Sequence, residues 1–243
     1  IGRSAFKDCS ALKRIVFPEH LREIQQTAFE GCTSLSEVIL PADFRNIGLD
    51  AFAGTQLVYA LHEENGAFAV FNHILIGYDG DTAEVVIPDG VERVAASFVY
   101  DLVNPPETPI TSLIFPDSVT EIGYSLFDQT TTLEQVTFSK NISVVPSSTF
   151  SDNAKLTAFD FSGIEEIGEG AFKNCGLTQA DLSNVKSIAK NAFAGCSALN
   201  AVTFSQELES IGSYAFYETA LTEIYVPASV AEIGDYAFAV NEL

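Results

Sequence analysis

The feature that most constrains the fold is a column of phenylalanines that recurs along the whole chain. Ten of the nineteen Phe residues follow one another at gaps of 23, 23, 46, 29, 23, 22, 21, 23 and 22 residues. Ala usually precedes the Phe, and Ile or Val usually stands five positions before it. An internal repeat of this length is typical of a solenoid, in which each unit buries its apolar edge only against its neighbours. The members of the column are Phe6, Phe29, Phe52, Phe98, Phe127, Phe150, Phe172, Phe193, Phe216 and Phe238.

The second half of each unit has the pattern of a β-strand. Leu12 to Pro18 matches Leu35 to Pro41, Ile110 to Pro116 and Leu221 to Pro227, with apolar residues at the first, fourth and sixth positions and then Pro. Period-two alternation favours a strand, and Pro ends it because Pro cannot donate to a ladder. The residues after Pro predict a short second strand, and the Ala-Phe-x-x-Cys stretch predicts a short helical or 3₁₀ turn. Stacked about 4.8 Å apart, these units predict an α/β repeat solenoid with a parallel sheet of about ten strands.

Two segments interrupt the repeat. The gap of 46 spans two periods, and residues 62–81 replace the Ile-Gly-Ala-Phe half of one unit. There, Phe68-Ala69-Val70 and Ile74-Leu75-Ile76 flank a short turn, which predicts an inserted β-hairpin that projects from the stack. Residues 100–109 contain three Pro and predict an extended surface loop. The whole chain, 1–243, is predicted to be a single solenoid domain that includes both interruptions, and we interpret it as a fragment that begins at Ile1 and stops at Leu243 inside repeats.

The charge of the chain excludes two classes of partner. The formal net charge is −21, and most of the acidic excess lies after residue 61. Such a surface repels phosphate groups, so nucleic acid and anionic membrane are not expected partners. There is no run of 18 apolar residues, and insertion into a membrane is therefore not predicted.

These repeats resemble the BspA-like, or treponemal-type, leucine-rich-repeat family. The resemblance rests on the Ile-Gly-x-x-Ala-Phe-x-x-Cys half, the Leu-x-x-Ile-x-Phe-Pro half and the segment from Asn65 to Val91, which is similar to an insertion found in such arrays. The resemblance implies a leucine-rich-repeat horseshoe with its main sheet on the concave side. It also implies a secreted or surface-anchored protein, largely of host-associated bacteria, that serves in adhesion and protein binding.

The sequence contains no motif of a catalytic, metal or cofactor site. Cys9, Cys32, Cys175 and Cys196 share one repeat position and form no C-x-x-C pair, so they predict free buried thiols and no zinc cluster. A bridge between Cys9 and Cys32, one repeat apart, stays open as an alternative. Adjacent acidic pairs on turns face no cleft and do not suit glycoside hydrolysis. We therefore expect a non-enzymatic protein without a cofactor.

A column of apolar residues is predicted to face solvent on the main strands. Inward-facing positions alternate with outward ones, and the outward fifth position is apolar in five consecutive units before it becomes polar. Such an exposed patch often marks an interaction site, although β-branched residues also suit strands and the hairpin could cover the column. The candidate partner-binding residues are Val16, Ile39, Leu61, Val86 and Ile114, with Tyr59, Glu37 and Glu84 beside them.

Two function classes follow from this face. The first is a protein-binding or adhesion module whose partner is a host extracellular protein or another bacterial surface protein. The second is a structural spacer or glycan-binding accessory region of a larger surface protein. Few aromatic residues stand on the predicted face, which favours a protein partner over a sugar. The sequence does not predict an oligomeric state.

Overall fold

The computed structural model describes residues 1–42, 44–95, 108–128 and 130–241. It divides into two compact units, the first of Ile1–Gly80 and Gly90–Phe98 and the second of Asp81–Asp89 and Val99–Leu243. The sequence predicted a single solenoid domain over the same residues. The predicted Pro-rich loop at 100–109 lies outside the described residues, except for its last two. The elements in the described residues are β1 (Arg14–Val16), β2 (Glu23–Ile24), β3 (Glu37–Ile39), β4 (Asn46–Ile47), α1 (Gln56–Asn65), β5 (Phe68–Phe71), β6 (Ile74–Tyr78), β7 (Glu84–Val86), β8 (Arg93–Val94), β9 (Ser112–Ile114), β10 (Glu121–Ile122), β11 (Gln135–Thr137), β12 (Val144–Val145), β13 (Glu166–Ile167), β14 (Gln179–Leu182), β15 (Ser187–Ile188), β16 (Ala201–Phe204), β17 (Ser210–Ile211) and β18 (Glu232–Ile233).

The Ala-Phe-x-x-Cys half of each repeat is a series of turns. In the first repeat, the backbone N–H of Lys7 donates to the Ser4 carbonyl at 3.1 Å, and that of Cys9 donates to the Phe6 carbonyl at 3.1 Å. Two residues of this segment, Ser4 and Asp8, have left-handed backbone with φ of 55° and 60°. A residue in this region interrupts a right-handed helix. The segment is therefore not a continuous helix, whereas its i→i+3 hydrogen bonds are those of the predicted 3₁₀ turn.

The predicted main strands form three separate parallel groups. In the first unit, β1 pairs with β3, and the register places Val16 opposite Ile39. In the second unit, β9 lies between β7 and β11, and β14 pairs with β16. A sheet of about ten strands is therefore wrong for the described residues. Two further predicted main strands are absent from the described residues, one around Phe159 and Phe161 and one over 221–227. At the first, an aromatic ring replaces the usual aliphatic residue at the fourth position, and the centroids of Phe159 and Phe161 are 4.8 Å apart.

The structure confirms the short second strand that was predicted after the Pro of each repeat. In the second unit, β12, β13, β15, β17 and β18 form a five-stranded parallel sheet. Its rungs put Ile167 opposite Ile188 and Ile188 opposite Ile211. In the first unit, β2 pairs with β4 in the same way, with Ile24 opposite Ile47. These parallel rungs, together with the main strands, make both units leucine-rich-repeat solenoid segments.

The insertion differs from the projecting hairpin that the sequence predicted. It begins with α1, because Thr55 accepts a hydrogen bond from the Val58 N–H at 3.3 Å and Gly66 ends the helix with φ of 69°. Strands β5 and β6 then pair antiparallel, and the turn between them is formed by two left-handed residues, Asn72 and His73. Strand β6 also pairs in parallel with β8, and Leu75 is completely buried. The hairpin therefore does not project from the stack: its strand β6 pairs with β8, one of the short second strands.

The Phe column forms a continuous ladder of stacked rings within each unit. In the first unit, Phe29 lies 4.9 Å from Phe6 and 5.3 Å from Phe52, with the rings nearly parallel. In the second unit, the ladder runs from Phe127 to Phe238 through Phe150, Phe172, Phe193 and Phe216, with successive centroids 5.1 to 5.6 Å apart. The interior Phe residues of this ladder are fully buried. Each repeat is therefore stabilised mainly by its two neighbours.

The position three residues after each Phe links consecutive repeats. The thiols of Cys32, Cys175 and Cys196 each donate to the Phe carbonyl of the preceding repeat at 3.0 Å. Asn153 and Asn241 use their amide groups in the same way, at 2.8 Å. All four cysteines are free, and three are buried, but Cys9 is exposed, which corrects the prediction that all four are buried.

Candidate functional site

The exposed face of β1 and β3 is the best-formed candidate site in the first unit. Side chains alternate along both strands, so that Val38 is buried while Val16 and Ile39 point to solvent with 53% and 40% of their surface exposed. The two aliphatic side chains lie directly opposite each other in the parallel register. We name Val16, Ile39 and the flanking pair Arg14 and Glu37 the β1–β3 face.

An ion pair lies beside the two aliphatic residues of the β1–β3 face. Arg14 Nε is 2.8 Å from Glu37 Oε2, and both side chains are about half exposed. An exposed pair of this kind contributes at most about 1 kcal/mol to the stability of the fold. It therefore places one charge of each sign at the rim of an apolar centre without strongly stabilising the sheet.

Two predicted members of the site do not lie on a strand. Tyr59 and Leu61 are part of α1, because the Thr55 cap and a run free of Gly and Pro favour a helix there. Leu61 is half-buried and packs against the core of the first unit, whereas Tyr59 is exposed. The predicted apolar column is therefore interrupted after Ile39.

The second unit carries its own exposed aliphatic pair. Val86 on β7 is 50% exposed, and the register places it opposite Ile114 on β9, which is half-buried. Glu84 is exposed at the start of β7 and lies opposite Ser112. On the next strand, Thr137 lies opposite Ile114, so the column becomes polar there.

Further along the second unit, the outward position carries carboxylates. Asp160 accepts a hydrogen bond from the Ser162 N–H at 3.0 Å, and Asp181 accepts one from the Ser183 N–H at 3.2 Å. The hydrogen bond from Ser162 lowers the pKa of Asp160. Both carboxylates are engaged with the backbone of their own turns, so this part of the face has the character of a solvated polar surface.

A cluster of three tyrosines, of which Tyr236 is exposed and Tyr214 and Tyr217 are half-buried, was not predicted. The rings of Tyr214 and Tyr217 are 5.5 Å apart, and Tyr214 stacks on Tyr236 at 5.0 Å. The sequence carries a signal for it: Tyr214 and Tyr236 occupy a column that holds Ser4, Thr27, Asp50 and Asn191 in other repeats. We name Tyr214, Tyr217 and Tyr236 the tyrosine cluster.

Two other kinds of site are absent from the residues that the structure describes. Among residues 1–42, 44–95, 108–128 and 130–241, no three His, Cys, Asp or Glu side chains are grouped in a way that would hold a metal ion. In the same ranges, the helix content is too short and too polar to include a membrane-spanning segment.

Comparison with solved structures gives likenesses at the level of the fold. A leucine-rich repeat protein from Eubacterium ventriosum is 19% identical, with 100% of this chain and 80% of that chain covered and a TM-score of 0.47. A leucine-rich cell surface protein from Faecalibacterium prausnitzii is 22% identical over 96% of this chain and 68% of that one, with a TM-score of 0.41. The pneumococcal vaccine antigen PcpA is 18% identical over 94% of this chain and 60% of its own, with a TM-score of 0.43.

The sequence comparisons identify the repeat itself. No curated protein matches the chain. The profile of the BspA type leucine-rich repeat region matches six copies, over residues 1–68, 80–184 and 161–243. These ranges cover nearly the whole chain and contain both halves of the repeat described above. The chain therefore belongs to the BspA-type leucine-rich-repeat family.

Proposed function

We propose that this chain is a non-catalytic protein-interaction module of a secreted or surface-anchored bacterial protein, and that it serves in adhesion. The observation that carries the proposal is the β1–β3 face, where Val16 and Ile39 are exposed although they lie on regular paired strands. Exposed aliphatic residues that lie together on a rigid sheet are typical of an interaction surface. The family to which the chain belongs supports a role in protein interaction over a role in catalysis.

The energetics of the β1–β3 face suit a protein partner. Fully burying a Val or Ile side chain contributes about 1.5–3 kcal/mol, and Val16 and Ile39 still have about half of that surface to bury. Together they would contribute about 2 kcal/mol at the centre of an interface. Arg14 and Glu37 lie at the rim, where charges mainly affect the association rate and the choice of partner.

The test is a binding screen followed by paired substitutions. The chain is immobilised and exposed to a panel of purified host extracellular-matrix and serum proteins, and the affinity of each partner found is measured. Val16→Asp and Ile39→Asp should weaken binding by at least about tenfold, since each removes apolar contact and buries a charge. Because both positions are exposed, the melting temperature should change little.

A matched control is available on the same outward column. Thr203 lies exposed on β16, so Thr203→Asp adds the same charge to a polar part of the face. It should leave the affinity unchanged. Val86→Asp, in the second unit, tests whether the exposed pair on β7 and β9 takes part. Equal affinity for wild type and Ile39→Asp, or an equal loss in Thr203→Asp, would overturn the proposal.

A further inference from the structure

The tyrosine cluster consists of one exposed ring, Tyr236, and two half-buried rings, Tyr214 and Tyr217, and two of the three residues have an unusual backbone. Tyr236 is 63% exposed, and its ring stacks on that of Tyr214 with an interplanar angle of 16°. Tyr214 and Tyr236 have φ of 60° and 57°. The left-handed region is unfavourable for a bulky residue.

Other repeats fill the same position with residues that suit this backbone. Ser4, Ser125 and Ser148 have φ between 54° and 55°, and Asn191 has φ of 58°. Short polar residues, above all Asn, are tolerated in the left-handed region because they hydrogen-bond locally. The backbone therefore does not require a tyrosine at this position, and the rings of two consecutive repeats stack on each other there.

The sequence that carries the cluster is acidic. From residue 191 to the end, the sequence contains seven acidic residues and no Lys, Arg or His. The nearest basic residue along the chain, Lys190, is paired with Glu169 at 3.3 Å. The carboxylate of Glu218 hydrogen-bonds to the Tyr217 side chain and raises the pKa of its phenol. Asp235 precedes Tyr236 directly and is exposed.

We propose that Tyr214, Tyr217 and Tyr236 bind the arginine and lysine side chains of a basic protein segment. The faces of tyrosine rings attract cations, and the attraction reaches about 2 kcal/mol when the cation is desolvated. A guanidinium group also stacks flat on such a ring and can donate to nearby carboxylates. Residues 191–243 supply no Lys, Arg or His, and Lys190 of the preceding repeat is paired with Glu169, so the acidic residues beside the rings are complementary in charge to a basic partner.

This site is separate from the β1–β3 face and does not depend on it. The β1–β3 face would bury aliphatic side chains, whereas the tyrosine cluster selects positive charge. Loss of either site should leave binding at the other unchanged, so the two proposals succeed or fail independently.

The experiment measures the binding of a short peptide of alternating Gly and Arg to the full chain by calorimetry. The matched peptide has citrulline in place of Arg, which keeps the shape of the side chain and removes its charge. We expect the Arg peptide to bind and the citrulline peptide to bind at least about tenfold more weakly. Equal binding of the two peptides, or no binding of either, would overturn the proposal.

Two sets of variants distinguish the contribution of the tyrosine rings to peptide binding from that of the negative charge of the region. Tyr214→Asn with Tyr236→Asn keeps every carboxylate and places at both positions a residue that suits the backbone, so the fold should be retained while the affinity falls at least about tenfold. Tyr225→Asn removes an exposed tyrosine outside the cluster and should have no effect. An Asn double variant that binds like wild type would show that only long-range charge attracts the peptide, and this would refute the site.

A second pair of variants keeps the test decisive if the Asn variant does not fold. Tyr214→Phe with Tyr236→Phe retains both ring faces and should retain the affinity for the Arg peptide. Its loss would mean that the phenol groups bind by hydrogen bonding, which contradicts the proposal. A neutral oligosaccharide is tested in the same way. If it binds to the wild type but not to the Asn variant, and the Arg peptide does not bind, the proposal is refuted and the cluster is a glycan site.

Discussion

Replacing one interior ring of the Phe ladder should destabilise the second unit strongly. Phe150 is fully buried and has four aromatic neighbours, with centroids of Phe127, Phe172 and Phe159 at 5.4 to 5.6 Å and that of Phe138 at 6.0 Å. A Phe→Ala change in a core lowers the free energy of unfolding by about 3–5 kcal/mol, and each contact between aromatic rings contributes about 0.5–1.5 kcal/mol. We therefore expect Phe150→Ala to lower the free energy of unfolding by about 4–5 kcal/mol, near the upper end of the range for core Phe residues.

Phe238 provides the matched control for this prediction. It is only half-buried and has one ring neighbour in the ladder, Phe216 at 5.3 Å. Phe238→Ala should cost about 1–2 kcal/mol. Scanning calorimetry measures both variants, and at about 2–4 °C per kcal/mol the melting temperature should fall by about 10 °C or more for Phe150→Ala. Equal shifts for the two variants would refute the ladder as the source of stability.

Two further predictions concern titratable groups. Burial, and then the charge of Glu30, raise the pKa of Asp50, so its ionised form destabilises the fold above that pKa. Asp50→Asn should therefore raise the melting temperature at about pH 7, and the gain should vanish near pH 3, below the ordinary Asp pKa of about 3.9; a gain that persists at the lower pH would exclude this origin. Burial raises the pKa of the Cys196 thiol to about 12 and raises that of Cys175 as well, so a thiol reagent near pH 8 should modify exposed Cys9 in the native protein and reach the buried thiols only after denaturation. Fast native labelling of all four, counted by mass spectrometry, would contradict the burial described here.

The repeat could be predicted from sequence because each column has one physical requirement. The Phe of each unit must fill the same volume as the Phe above and below it, so Phe127, Phe150 and Phe172 stand in register and are fully buried. The alternation at Val38 and Ile39 likewise fixed which side chain is buried and which is exposed.

The insertion could not be predicted in the same way, because its residues satisfy two patterns. Leu57 and Leu61 fit the spacing of the strand half of a repeat, yet they also fit a helix. The local signals that decide between them are the Thr55 cap, which begins the helix, and the left-handed Gly66, which ends it. The burial of β6 in the second-strand sheet is a long-range contact with β8 that no local pattern indicates.

The tyrosine cluster could not be predicted from the pattern of apolar residues, because Tyr214 and Tyr236 stand at a repeat position defined by its left-handed backbone. Most residues at that position are small or polar (Ser, Thr, Asp, Asn or Gly), and Gly, Asn and Asp are the residues that tolerate the left-handed conformation best. A bulky aromatic residue at such a position is a departure visible in the sequence once the repeat is aligned. Its meaning depends on the ring contacts, which only the structure supplies.

The central claim is that the β1–β3 face contacts a protein partner, and site-specific photo-crosslinking tests it most directly. A benzophenone amino acid is placed at position 39 in one variant and at position 203 in another, both of which are exposed on paired strands. After the partner identified in the binding screen is added and the mixture is irradiated, the account predicts a covalent adduct at position 39 and none at position 203. An adduct at position 203 without one at position 39 would contradict it.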